Sequence, residues 1–270
     1  MKELKYNINY LINRKELYFA LLITFATSLI HIFLCIKESL RLNQFYEELY
    51  TGEYQFILYN VNVNLQTLIL IIVPIICSMI LSDSNILENK FKTTNILITR
   101  INYKKNILIR VLSCIIITFI ICFLSFAFNY IVLRIIFGTG NSITLTQGVA
   151  FNLYSLPGFF LDNIRIQNPT LFVVLINLCV SFIYGLLSAF SYAISFFVKN
   201  RIIIYFIPLI FLILTDMLLN RINLGEFSFL TIMQPFGKFN MRIYVTCVSI
   251  LLIIIMSLVG IKLFKKDVLV

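Results

Sequence analysis

Six continuous apolar runs, each 17 to 28 residues long, constrain the fold of this chain more than any motif does. A helix rises about 1.5 Å per residue, so such runs can cross a hydrocarbon core of about 30 Å. Hydrophobic residues make up 60% of the chain and charged residues 13%, a composition foreign to water-soluble domains. Unbroken runs favour helices over a barrel of alternating strands. The predicted spans are residues 17–36, 65–81, 111–133, 171–198, 202–219 and 243–261.

The predicted fold is therefore an all-α polytopic membrane protein, with residues 1–270 forming one transmembrane domain. Residues 1–16 precede the first span and carry an apolar stripe at helical spacing, including Leu4, Ile8 and Leu11, opposite Lys2 and Lys5. This pattern predicts a helix that lies in the membrane interface. A strand-like alternation over residues 6–10 and a frayed tail are the alternatives.

The distribution of basic residues between the spans predicts the orientation of the chain. With the amino terminus inside, the inner segments hold 15 of the 22 lysines and arginines, although the outer segments are longer. Basic residues are retained on the cytoplasmic side during insertion. We therefore expect a multi-pass protein of the plasma membrane with both termini in the cytoplasm. The net charge of +10 reflects this topology and does not indicate nucleic-acid binding.

Ionisable and sulfur-containing side chains within the spans are too scattered to predict an enzyme or a metal site. The six cysteines all fall inside spans without ligand-like spacing, and His31 is the only histidine. Asp216 lies near the outer end of the fifth span, close to Arg221, and is interpreted as a snorkelling or paired residue rather than a proton carrier. The loop at Gly138 lacks the Lys-Ser/Thr of a phosphate-binding loop. If ATP drives this protein, another chain must bind it.

The segment 82–110, between the second and third spans, is the most heavily charged interruption and is called the elbow here. Asn85 and Glu88 have the spacing of a helix cap with a reciprocal carboxylate, which predicts a short helix. Six basic side chains could contact an acidic partner surface or lipid phosphates. The alternative is an ordinary basic loop that only fixes topology.

In layout, the chain resembles the type-2 permeases of bacterial ATP-binding-cassette exporters. That family has an amino-terminal interfacial helix, six spans and a cytoplasmic coupling helix between the second and third. The elbow matches the family pattern at several positions and departs from it at Lys92, Arg100 and Asn102. The matching residues are Glu88, Thr93, Ile96, Leu97, Thr99, Tyr103, Lys104 and Arg110.

The resemblance implies that Glu88, Lys92, Thr93, Arg100, Tyr103 and Lys104 couple the permease to a cytoplasmic ATPase subunit. The chain itself would hold no cofactor, since ATP and Mg²⁺ would bind to that partner. A second permease chain, identical or related, would complete the pathway within the membrane lipid. The apolar spans suit hydrophobic or amphipathic cargo, such as an antimicrobial or signalling peptide. The alternative function is a non-transporting membrane scaffold or assembly factor.

Two spans carry polar stripes at helical spacing, which predict faces turned away from lipid. These faces could line the transport pathway or could pack tightly against other helices. Gly185 and Ala189 form part of a small-residue ridge that favours packing. The candidate wall residues are Thr118, Ser125 and Asn129 in the third span, and Asn177, Ser181, Tyr184, Ser188 and Ser191 in the fourth.

The outer segment 220–242 is too apolar for a solvent loop. The family resemblance implies a re-entrant pair of short helices there, for which non-helical backbone would need shielding by protein. Phe227 and Phe229 are the candidate residues of an outer gate, and a loop resting on lipid is the alternative.

Overall fold

The computed structural model describes residues 9, 12–42, 52–53, 56–58, 63–80, 82–90, 103–138, 164, 167–233 and 241–267. These residues contain helices and turns, with no strand among them. The long helices are α1 (Lys15–Leu42), α2 (Val63–Met79), α4 (Tyr103–Phe137), α5 (Pro169–Ile194), α6 (Arg201–Arg221) and α8 (Met241–Asp267). The short ones are α3 (Ser84–Lys90), a 3₁₀ turn (Gly225–Phe227) and α7 (Phe229–Met233).

Six helices are long and apolar enough to cross a membrane. The prediction of an all-helical protein with six candidate spans is therefore confirmed. Their limits differ from the predicted ones at the second span, which covers Ile69–Leu87 and so includes the first residues of α3, and at the third, where α4 begins at Tyr103 rather than at residue 111. Residues 103–110 of the elbow consequently belong to the third helix. The helix continues there because Lys104 and Lys105 are exposed while Asn106 and Ile107 are buried, which gives the segment an amphipathic face.

Local sequence explains several helix ends. The Asn168 side chain accepts a hydrogen bond from Leu171 N–H at 3.2 Å, and Pro169 occupies the first turn of α5, where its missing N–H costs nothing. The Asn200 side chain accepts from Ile202 N–H in the same way at the start of α6. Gly138 ends α4 with a φ of 76°, a conformation that glycine adopts without strain.

Helices α4 and α5 form the largest interface of the bundle, and the buried core continues from them to α1, α2, α6 and α8. At the centre of this interface, a Cβ atom added to Gly185 would lie 2.8 Å from the carbonyl oxygen of Ile115. The two backbones therefore approach more closely than any other residue type would allow without a shift. This contact favours packing as the role of the ridge that contains Gly185 and the buried Ala189.

The two ends of the bundle can be distinguished by the contacts of the connecting segments. The elbow end contains the residue before α1, the residues around α3 and the turn after α5, which are joined by the hydrogen bonds described below. The opposite end contains residues 52–53 and 56–58, Gly138 and the segment 225–233. Gly52 N–H donates to the carbonyl of Gly138 at 3.2 Å, which places residue 52 at the end of α4.

Candidate functional site at the base of the elbow

A buried ion pair joins the start of the first span to the start of the elbow. Arg14 Nη2 lies 2.7 Å from Asp83 Oδ1, although the two residues are 69 positions apart. The side chains are 7% and 1% exposed, respectively. Charged groups buried this deeply require a partner of opposite charge, because desolvation of either one alone is very costly.

Arg14 makes two further contacts with neighbouring elements. Its Nη1 donates to the carbonyl oxygen of Ile80 at 3.3 Å, just after the end of α2. Its Nε donates to Glu16 Oε2 at 3.3 Å, and the Glu16 side chain is 37% exposed. The planar guanidinium fork can serve these acceptors together, which a lysine ammonium could not do with the same geometry.

Neighbouring polar residues extend this contact to the rest of the elbow end. The Ser78 hydroxyl donates to the carbonyl of Tyr205 on α6 at 2.8 Å, and the Tyr205 side chain interacts electrostatically with Asp83 and Arg14. Asn85 Nδ2 donates to the carbonyl of Ser195, in the turn after α5, at 3.1 Å. Residues from α1, α2, α3, α5 and α6 thus meet at one end of the bundle.

The first turn of α3 differs from the predicted cap. The helix begins at Ser84, and Leu87 N–H donates to the carbonyl of Asp83, so Asp83 rather than Asn85 precedes the helix. Asn85 lies inside the helix and uses its side chain to reach Ser195 instead. The cap prediction was wrong because the spacing of Asn85 and Glu88 reports only local contacts. The Asn85 side chain instead points toward Ser195, with which it forms a tertiary hydrogen bond.

The predicted coupling residues lie only partly within the described part of the chain. Glu88 falls on α3 and Tyr103 on the first turn of α4, and the side chains of both lie outside the described residues. Lys104 is exposed on α4. Lys92, Thr93 and Arg100 lie outside the described residues. The described part of the elbow contains the short helix α3, and both the assignment of α3 as a coupling helix and the coupling role of these residues stay predictions.

The polar stripe of the third span faces the first span. Ser125 Oγ donates to the carbonyl of Thr24 at 2.8 Å and lies 2.9 Å from Ser28 Oγ. Asn129 Nδ2 donates to the carbonyl of Ser28 at 3.1 Å, while its Oδ1 accepts from Ile57 N–H at 3.2 Å. These hydrogen bonds favour helix packing for Ser125 and Asn129.

The stripe of the fourth span contacts several helices. Asn177 donates to the carbonyl of Phe123 and accepts from Ser181, Ser188 donates to the carbonyl of Cys77, and Ser191 donates to the carbonyl of Ile204. These contacts also favour packing within the chain. The transport-wall role of both stripes stays a prediction.

Two candidate wall residues differ from the others in their hydrogen bonding. The hydroxyls of Thr118 and Tyr184 are fully buried and have no hydrogen-bond partner among the described residues. Tyr184 lies near the thiols of Cys77 and Cys122, whose sulfur atoms are 3.5 Å apart. All six cysteines of the chain are free thiols. Within the described residues, no group of three or more His, Cys, Asp and Glu side chains could hold a metal ion.

The segment 225–233 folds into two short helices that pack against α6 and α8. Phe229, Ile232 and Met233 are buried, and Phe227 is half-buried. The carbonyl of Phe227 accepts a hydrogen bond from the Cys247 thiol on α8 at 3.3 Å. The structure thus places both predicted gate residues in a packed hairpin. Their gating role is a prediction that these contacts do not test.

Asp216 contacts this hairpin through Ser228. The Ser228 hydroxyl donates to Asp216 Oδ1 at 2.6 Å, and Ser228 Oγ accepts from Leu230 N–H at 3.2 Å. Ser228 therefore caps α7 while it is held by a carboxylate of α6. Sequence proximity pointed to Arg221 as the partner of Asp216, but the bond that forms is with Ser228.

Three polar residues of this structure were not singled out from the sequence. Arg14 and Asp83 entered the sequence analysis only as charges used to orient the spans. They are 69 positions apart, so no local sequence pattern indicates that they pair. Glu53, 1% exposed, accepts hydrogen bonds from Tyr130 at 2.9 Å and from Thr170 at 3.4 Å at the opposite end of the bundle. Arg14 and Asp83 each lie within three residues of a predicted span boundary, which is a sequence signal that Glu53 lacks.

Comparison with known proteins identifies no relative of this chain. No family model matches it, and neither does any curated protein or solved structure.

Proposed function

We propose that the chain is the membrane-spanning permease subunit of an ATP-binding-cassette exporter. The observation that carries this proposal is the short helix α3, which overlaps the end of the second candidate span, precedes the third, and is held at its first turn by the Arg14–Asp83 pair. A device that transmits force from a separate motor needs a segment at the end of the spans that is firmly held by them. The basic residues around it could contact an acidic surface of the motor.

In this proposal, the elbow end faces the cytoplasm of a plasma-membrane protein with both termini inside. A cytoplasmic ATPase subunit binds ATP and Mg²⁺ and contacts the elbow, and a second permease chain completes the pathway. The spans are apolar and hold few charged residues, and Asp216 is the only acidic residue inside the predicted spans. This character suits a hydrophobic or amphipathic cargo, such as a peptide, better than an ion.

The direct test is purification of the full chain from its native membrane, followed by identification of bound proteins. We expect an ATPase with a phosphate-binding loop to copurify and to hydrolyse ATP faster in the presence of the permease. Copurification without any ATPase would contradict the proposal. A stable complex with other membrane proteins alone would favour the alternative function of a scaffold or assembly factor.

A set of variants locates the contact on the elbow. Simultaneous replacement of Glu88, Lys92 and Arg100 by glutamine is expected to reduce ATPase recovery at least about tenfold, because charged contacts govern association. The membrane level of the permease should not change, because these replacements lie in the elbow between the spans. Unchanged ATPase recovery would contradict the assignment of the elbow.

The matched control removes the same charges at the opposite end of the bundle. Arg134, Arg221 and Glu226 are exposed there, again two bases and one acid. Their replacement by glutamine is expected to leave ATPase recovery unchanged. An equal loss in this control would show that the elbow variant acts through overall charge rather than through contact.

A further inference from the structure

We infer that Arg14 and Asp83 are positioning residues that make the start of the first span and the base of the elbow move as one unit. This inference rests on the proposed function and deepens it. It names the route by which motion at the elbow would reach a span that is not connected to it in sequence.

The burial of the pair is the first argument. Replacing a buried ion pair by apolar residues of similar size is often neutral or stabilising, so the pair is weak evidence for stability alone. Here Asp83 also interacts with the side chain of Tyr205 on α6, so the pair belongs to a network of contacts between several helices. Fixed geometry, rather than stability, is the property that such a pair best supplies.

The position of the two residues is the second argument. Arg14 directly precedes α1, and Asp83 directly precedes α3. The guanidinium also contacts the carbonyl of Ile80, so one side chain holds both the end of the second span and the start of the elbow. A displacement of α3 along its axis would therefore pull on the first residue of α1.

The second contact of the elbow is of a different kind. Asn85 and Ser195 form a neutral hydrogen bond between α3 and the turn after α5. Neutral hydrogen bonds are weaker and exchange partners more easily than charge-assisted ones. The charge-assisted Arg14–Asp83 contact is therefore stronger than the neutral contact of Asn85 with Ser195.

The experiment uses the double variant R14M/D83L, in which apolar side chains of similar size replace the pair so that the fold is retained. Amide hydrogen exchange is measured on the full chain in lipid nanodiscs. In the chain alone, we expect exchange to increase at least about tenfold in residues 15–22 and in residues 84–90 together. An increase in only one of these segments, or in neither, would overturn the inference.

The second measurement uses the complex with the ATPase and a non-hydrolysable ATP analogue. In the natural chain, the analogue is expected to change exchange in both segments. In R14M/D83L the change should remain in residues 84–90 and disappear from residues 15–22. Persistence of the change at residues 15–22 in the double variant would also overturn the inference.

Two single variants keep the test decisive. R14K retains the charge but lacks the guanidinium fork that contacts Asp83 and Ile80 together. We therefore expect about a threefold increase of exchange in both segments. This variant replaces R14M/D83L in the test if the double variant does not accumulate in the membrane. E16Q removes only the half-exposed contact of Arg14 and should leave exchange unchanged. If no ATPase binds the natural chain, the proposed function fails, whereas the exchange of the chain alone still tests the pair.

Discussion

Two short α-helices of the described part of the chain, α3 and α7, lie at opposite ends of the bundle and are fixed by a carboxylate in two different ways. At α3, the carboxylate belongs to Asp83, the residue before the helix, and it pairs with Arg14. At α7, the residue before the helix is Ser228, and its hydroxyl donates to Asp216. One helix therefore depends on a buried ion pair and the other on a hydrogen bond to a carboxylate.

The difference lies in how far each contact reaches along the chain. Arg14 is 69 positions from Asp83, so this contact joins the start of α3 to the first span, which is not adjacent to α3 in the sequence. Asp216 is 12 positions from Ser228 and lies on α6, the helix that leads into the segment. The comparison indicates that α3 is held by a contact with a helix distant in the sequence, whereas α7 is held by a contact with α6, the preceding long helix.

The largest effect is expected from replacing Asp83 by alanine, which leaves Arg14 buried without its counter-charge. Removal of one partner of a buried pair costs about 3–5 kcal/mol. We expect the thermal unfolding temperature in detergent to fall by about 10 °C. The buried cysteines allow this to be followed with a thiol-reactive dye. If the unfolding temperature falls no further than in the Asp216 variant described below, the proposed difference between α3 and α7 is contradicted.

A change at the centre of the bundle tests whether the two ends depend on a common core. Gly185→Val places a side chain against the Ile115 carbonyl and should destabilise the protein by about 2–3 kcal/mol. We expect hydrogen exchange to increase in both α3 and α7. Gly260 is the control, because a Cβ there meets nothing within 4 Å, and Gly260→Ala should have no such effect.

Replacement of Asp216 by alanine removes the acceptor of the Ser228 hydroxyl. The expected cost is about 1.5 kcal/mol, since hydrogen bonds to charged groups contribute more than neutral ones. Faster exchange should be confined to residues 225–233. Asp216→Asn retains an acceptor and should recover part of the loss. Exchange that spreads to α3 would show that this contact is not local.

The smallest effect is expected from Glu16→Gln, which removes the half-exposed second acid beside Arg14. Ion pairs exposed to solvent contribute below about 1 kcal/mol. The unfolding temperature should change by no more than about 2 °C. A larger decrease would mean that Glu16, and not Asp83 alone, balances the charge of Arg14.

The spans were predictable from the sequence because length and hydropathy alone decide whether a helix can cross a membrane. The close approach at Gly185 was predictable in part, since small residues at helical spacing mark packed faces. The Arg14–Asp83 pair was not, because no local pattern connects positions so far apart. The partner of Asp216 was also missed, because Arg221 is the nearer charged residue in the sequence but Ser228 is brought closer by the turn at residues 222–228.

The continuity of α4 has a mechanical consequence. Its 35 residues make a rod of about 52 Å, whereas the hydrocarbon core is about 30 Å thick. Tyr103 and Lys104 stand at the tip of this rod, on the side of the elbow. If the rod pivots at its far end, a tilt of about ten degrees displaces that tip by about 9 Å. A small tilt of α4 inside the membrane therefore produces a large displacement of its end outside the hydrocarbon core.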